Sequence, residues 1–338
     1  MSPNVVLPLG SALVSFLFAG TVLAQWMQRR RAFQLVWGVG LLWYGISAGT
    51  EFLGSAFGWN EPLYRTWYLI GAFFVAAYLG AGTVVLLART RFGYFVSFSF
   101  LVGALYAFAI RGRYPEETGS FVALLAVCLA AAVAVALATW RARGLVAPIV
   151  TVVLLAGSAV AAVAVFGATL SAPYALDPRT GVPVGDAIPG TIRILAGPFN
   201  IIGAFALVAG AIFSAYVFMP KRRVLGRRAL PPLVAQVYGA LAVTLNFLAS
   251  LPRAAVALAR GELHSRVPAT LLIALGGFVP GVTSGLNRFG VTWAFFLGEL
   301  LGVLLIFAGF LVSTEVFGSR VRLGPLVMRR REEEATAT

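Results

Sequence analysis

The arginines of this chain fall between its apolar runs in a pattern that leaves little choice of fold. Nine runs, at about 5–25, 33–54, 66–88, 93–110, 120–139, 146–168, 192–218, 268–286 and 291–313, approach or exceed the length of a membrane span. A span needs ~20 mostly apolar residues at 1.5 Å of rise each. If the N-terminus lies outside, the inner side collects 20 of the 26 basic residues. These are Arg29 to Arg31, Arg89, Arg91, Arg141, Arg143, five in the 221–228 cluster, Arg253, Arg260, Arg266, Arg320, Arg322 and Arg329 to Arg331. The outer side keeps Arg65, Arg111, Arg113, Arg179, Arg193 and Arg288. Basic residues concentrate on the cytoplasmic side of membrane proteins. The expected topology is therefore N-terminus outside and C-terminus inside.

Composition agrees. The chain is 60% hydrophobic and 11% charged, against about a quarter charged in a soluble domain. Only helices and closed barrels satisfy their backbone in lipid, and the runs are too long and continuous for barrel strands. The fold class is all-α, a polytopic transmembrane helix bundle of about nine spans (seven plus two). The expected organisation is a seven-helix bundle over 1–220 and a basic linker with an interfacial amphipathic helix over 221–267. A two-helix hairpin over 268–314 and a disordered, basic then acidic tail over 315–338 complete it.

The net charge of +14 is explained by short loops that meet anionic lipid head groups at the inner face, and no basic stripe with its own fold points to nucleic acid. One cysteine, Cys128, and one histidine, His264, cannot form an internal disulfide, a bis-histidine haem site or a structural zinc site, so no cofactor is expected. No metalloprotease, phosphate-loop or nucleophile motif occurs, so an enzyme is not expected. Residues 1–10 carry no positive charge ahead of the first apolar run, which fits an N-out span rather than a cleaved signal. Arginine outnumbers lysine 25 to 1, a bias of high-GC bacterial genomes, and places the protein in a bacterial cytoplasmic membrane.

Residues 233–251 form a further apolar stretch that could cross or lie flat. Crossing would divide the basic residues 13 to 13. Asn246, Ser250, Arg253 and Arg260 share one helical face, the pattern of a helix lying in the inner interface; a re-entrant hairpin is the competitor. Pro252 should kink or split it. The 169–191 stretch, rich in Pro and Gly, is either a lid over a site or a solvated connection. Ile70-Gly71-Ala72-Phe73 is echoed by Ile202-Gly203-Ala204-Phe205.

Charged residues inside spans are costly and mark function or pairing. Glu299 is the sharper case, set in Gly298-Glu299-Leu300-Leu301-Gly302, whose glycines have the spacing of close helix packing. It reads either as a proton- or cation-binding carboxylate or as a hydrogen-bonded structural acid, and should face the neighbourhood of Asn200 or Ser284. Breaks at Gly197-Pro198 and Pro280-Gly281 resemble those of discontinuous transporter helices. They gather Arg193, Asn200, Thr283, Ser284, Arg288 and Glu299 toward the outer halves of three spans as a candidate ligand or ion site. Glu51 is expected to form a structural ion pair with Arg65 across a short hairpin.

One stretch carries a resemblance. Trp37 to Leu69 includes Trp-Gly-Val-Gly-Leu-Leu-Trp-Tyr, Glu51, Gly58-Trp59-Asn60 and Tyr64-Arg65-Thr66-Trp67-Tyr68. It resembles the second and third helices of the seven-helix membrane sensor regions of bacterial histidine kinases. More broadly, the chain is similar to uncharacterised polytopic membrane proteins of high-GC bacteria. The resemblance implies a seven-helix sensor or scaffold acting through a cytoplasmic protein partner, yet two more spans follow where an output domain should. It carries over no functional residue. The residues themselves point first to binding or transport of a small solute or ion.

Overall fold

A computed structural model describes residues 2–110, 112, 115–171, 183–226, 228–287 and 293–313, together with the two-residue strands 322–323 and 326–327. The chain is a helix bundle. Its helices are α1 (Pro3–Arg29), α2 (Ala32–Phe57), α3 (Glu61–Leu69), α4 (Val75–Leu87), α5 (Gly93–Ile110), α6 (Thr118–Arg141), α7 (Val146–Gly167), α8 (Gly190–Phe218), α9 (Pro232–Ala259), α10 (Arg266–Asn287) and α11 (Trp293–Val312). A π-helical turn, Ile70–Phe74, joins α3 to α4 in one continuous rod. Part of the tail expected to be disordered pairs as a short antiparallel ladder, Arg322 with Val327 and Leu323 with Leu326; the rest lies outside the described residues.

Nine helices among the described residues are long and apolar enough to span a membrane. That number matches the sequence, but the membership differs. Length and hydropathy admit 237–259 and leave 93–109 as a shorter apolar helix. Two contacts bear on this. Gly93, at the start of α5, packs against Thr139 at the end of α6, and Phe108 at the other end meets Phe121, 6.1 Å between ring centroids. Thus α5 runs nearly the full length of α6. Conversely, Phe218 closing α8 lies 4.9 Å from the His264 ring and beneath the Arg266 guanidinium at 4.7 Å. The 219–265 segment therefore leaves and returns at one end of the bundle, the end that carries Arg29 to Arg31 and is called here the basic end.

Packing explains why the spans group as they do. Where α4 crosses α8, a Cβ on Gly80 would strike the Gly203 backbone, and one on Gly203 would strike Ala76 and Ala77. Only glycine allows backbones this close. A second approach, Gly276, Gly302 and Gly309 between α10 and α11, closes the last hairpin. That hairpin is not separate from the first seven spans. Phe18 of α1 stacks on Phe307 at 4.7 Å and tilts against Phe310 at 5.1 Å, and one apolar cluster joins α1, α2, α4, α8 and α11.

The polar face of α9 has a partner. Asn246 accepts the backbone N–H groups of Val224 and Leu225 at 2.7 and 2.9 Å and donates back to the Leu225 carbonyl. Ser250 accepts from the N–H of Arg222, and Arg253 donates to the carbonyl of Lys221 at 2.9 Å. The basic linker is thus strapped along α9. Leu241, Leu245 and Leu248 lie exposed on another face. The helix continues through Pro252 rather than splitting there.

Candidate functional site

Two acids sit inside apolar helices at matching depth. Glu51 is six residues before the end of α2 and Glu299 six residues after the start of α11, so each lies ~9 Å inside its helix end at 1.5 Å per residue. Both ends are opposite the basic end. Tyr44, Ala48 and Glu51 follow one another on one buried face of α2, at offsets of four and three that helical geometry aligns. Glu299 is placed by its neighbour. Gly298 accommodates Thr283 of α10 against its backbone, which commits that face of α11 to α10 and turns the next residue away from it.

The outcome is a carboxyl pair. Glu51 is 1% exposed, and its Oε1 accepts the indole N–H of Trp67 at 2.9 Å. The Glu299 carboxyl is its neighbour across the α2–α11 contact. Yet Oε2 of each acid, shut off from solvent, meets no N–H or O–H donor. Each acid therefore keeps a buried oxygen that could take a hydrogen bond or a cation. The hydroxyl of Tyr44 donates to the Glu299 backbone carbonyl at 2.7 Å and fixes α11 beside α2. Among the described residues neither acid has a basic partner within ion-pair distance.

No family model, curated protein or solved structure matches this chain. The site has to be read from its own geometry.

That geometry departs from two expectations. The Glu51–Arg65 ion pair is not formed. Arg65 bonds to Glu61, one turn earlier on its own helix, at 2.9 and 2.7 Å, and to the carbonyls of Val165 and Ala168. A guanidinium on α3 is closer to its own i−4 acid and to the open end of α7 than to α2, while Trp67 reaches Glu51 instead. Likewise Glu299 meets α2, rather than Asn200 or Ser284, because Gly298 has already given the α10-facing side to Thr283.

The remaining candidates are dispersed. Arg193 forms an ion pair with Asp186 at 2.7 Å. Asn200 is exposed on α8 and Ser284 half-buried on α10. The Thr283 hydroxyl donates to its own helix, to the carbonyls of Val279 and Pro280 at 3.2 Å each. Arg288 lies outside the described residues. The 183–191 end of the long loop is anchored rather than solvated: the Tyr64 hydroxyl donates to the Val184 carbonyl, and Ala187 and Ile188 are buried against Tyr64 and Tyr68.

Proposed function

We propose that this integral membrane protein binds or transports a small solute or ion, and that the Glu51–Glu299 pair takes up and releases the proton or small cation involved. The pairing carries the reading. Two neighbouring buried carboxyls at low dielectric cannot both ionise without strong repulsion. A shared proton relieves it, and a small cation held by hard carboxylate oxygens would do the same. The acids come from two different helices, linked nearby by the Tyr44 hydroxyl, so the charge state of the pair bears directly on how α11 sits against α2.

In this reading the protein lies in a bacterial cytoplasmic membrane, with the basic end facing the cytoplasm and anionic head groups and with the N-terminus outside. Helix α9 lies along the cytoplasmic interface, its leucine face in lipid and its polar face holding the basic linker.

The test uses purified protein in vesicles. Infrared spectra should contain the C=O stretch of a buried protonated carboxyl, shifted in Glu51→Gln and in Glu299→Gln as the hydrogen-bonding neighbour changes, and lost in the double variant. A proton flux driven by a potassium diffusion potential, followed with an internal pH dye, should be present in the wild type and abolished in both folded single variants. Persistence of the band in the double variant, or of the flux in either single variant, would overturn the assignment.

A further inference from the structure

Away from the carboxyl pair, a groove of 940 Å³ runs between α4, α5, α6, α7 and α8 and opens to the outside of the bundle, where Val152, Val160 and Val163 are exposed. Its walls are mostly carbon, represented by Phe100, Leu124, Val160, Leu195 and Ile202. Its volume sits near the upper end of ligand-site volumes. Water is a poor filler, because an apolar lining offers it no hydrogen bonds. The shape is long: the lining follows α8 from Thr191 to Ala206 and α7 from Gly167 back to Val150, ~22–25 Å at 1.5 Å per residue. One leaflet of hydrocarbon is about 15 Å deep, so a chain of leaflet length fits inside.

The end away from the basic side is different. There a polar vestibule of 350 Å³ is lined by Glu116, Glu117, Asp186 and Arg193. Pro189 belongs to the walls of both spaces. Ser120, in the wall of the apolar groove, also hydrogen-bonds to Glu117 of the vestibule at 3.5 Å. Arg193 is held by Asp186 at 2.7 Å, so both signs of charge stand side by side above the apolar groove.

We infer that the two spaces together hold one zwitterionic phospholipid of the leaflet at that end. One acyl chain lies in the groove, the ammonium faces Glu116 and Glu117, and the phosphate faces Arg193. The occupant is argued from three features: an apolar lining for a chain, a length sufficient to take a chain of leaflet depth, and a mouth bearing both charges. This site shares no residue with the carboxyl pair and stands or falls separately from it.

Native mass spectrometry of the purified full-length protein, offered equal amounts of phosphatidylethanolamine and phosphatidylglycerol in detergent, tests the inference. The wild type should retain one phosphatidylethanolamine, preferred about tenfold, the equivalent of one charge-assisted contact. Ala123→Trp, which obstructs the groove, should lose the bound lipid while its circular dichroism stays unchanged. Glu116→Gln with Glu117→Gln, at the surface, should keep a bound lipid but bring the two head groups to near parity. Absence of retained lipid, equal retention of both lipids by the wild type, or undiminished binding by a folded Ala123→Trp would each overturn it. If that variant does not fold, an unchanged preference in the glutamine double variant would overturn it alone.

Discussion

The hydroxyl of Tyr44 on the second helix donates to the backbone carbonyl of Glu299 on the last, 2.7 Å away. The bond ties together residues 255 positions apart and sits beside the carboxyl pair. Tyr44→Phe deletes it without changing shape. The expected loss is ~0.5–1.5 kcal/mol of stability, the net worth of one hydrogen bond, measured as a shift in denaturant midpoint. The carboxyl infrared band should survive, because neither acid is touched; its disappearance would mean that Tyr44 itself supplies the proton.

Glu51 and Glu299 should behave as one unit. Each glutamine substitution alone leaves an acid facing an amide, and the double variant leaves two amides that can bond to each other. The stability effects should therefore fail to add, with a coupling of ~0.5–3 kcal/mol as found for residues in direct contact. Additivity within ~0.5 kcal/mol would show that the two side chains act independently.

How the sequence led to this site, and where it stopped, follows from the physics of each signal. Hydropathy over ~20 residues is a long-range average, so the spans were legible. The polar face of α9 was legible too, since Asn246, Ser250 and Arg253 repeat at helical spacing, but its partner, the backbone of residues 221–225, has no side-chain signature. Glu51 and Glu299 could have been paired as two acids in apolar helices, each about two turns from an end. Their contact, however, depends on which face of α11 is already occupied. That is decided by Thr283 seating on Gly298, a backbone approach that periodicity alone does not assign. Arg65 pairs away from Glu51 for a related reason: its partners include the carbonyls at the end of α7, and carbonyls are invisible in a residue pattern.

The α4–α8 crossing offers a packing test. Gly203→Ala would drive a methyl into the backbone of Ala76 and Ala77, whereas Gly20→Ala meets nothing within 4 Å. Overpacking costs ~1–3 kcal/mol, so Gly203→Ala should lower the thermal inactivation temperature clearly. Gly20→Ala should not, and should gain slightly from helix propensity. Equal behaviour of the two would mean that the helices separate freely.

Arg65 and its partner Glu61 should contribute unequally. Arg65 is 8% exposed and satisfies carbonyls at the end of α7; the Glu61 side chain is 55% exposed. Arg65→Met strips charged donors from buried acceptors and should cost ~1.5–3 kcal/mol. Glu61→Gln removes only a solvent-screened ion pair and should cost under ~1 kcal/mol. Denaturant titration of both variants checks the order, and a larger loss for Glu61→Gln would refute it.

Helix α9 should expose its two flanks on one side of the membrane. Single cysteines at Val224 and Glu262, in a Cys128→Ser background, are expected to react with a membrane-impermeant maleimide from the cytoplasmic side only. Spin labels at Leu241, Leu245 and Leu248 should report shallow, nearly equal depths, because a helix in the interface keeps its apolar face within ~5–10 Å of the headgroup boundary. Labelling of the two cysteines from opposite sides, or depths that change steadily by ~1.5 Å per residue, would show that α9 crosses.

His264 makes the junction of α8 and α10 sensitive to acid. Its ring lies against Phe218 at 4.9 Å, and its Nδ1 accepts the N–H of Arg266 at 3.1 Å. Loss of hydration at this contact, and secondarily the nearby Arg266 charge, hold the imidazole below its ordinary value of 6.5. As pH falls below 6.5, the unfolded chain therefore binds a proton more readily than the folded one. Stability contributed here is fully present above that pH and declines as the medium is acidified toward the lower folded value. Comparing wild type with His264→Gln between pH 7.5 and pH 5 isolates this residue: the difference in unfolding midpoint should shift steadily in favour of the variant as pH drops. A difference that stays constant, or moves the other way, would mean that the folded junction accepts the charge as well as water does.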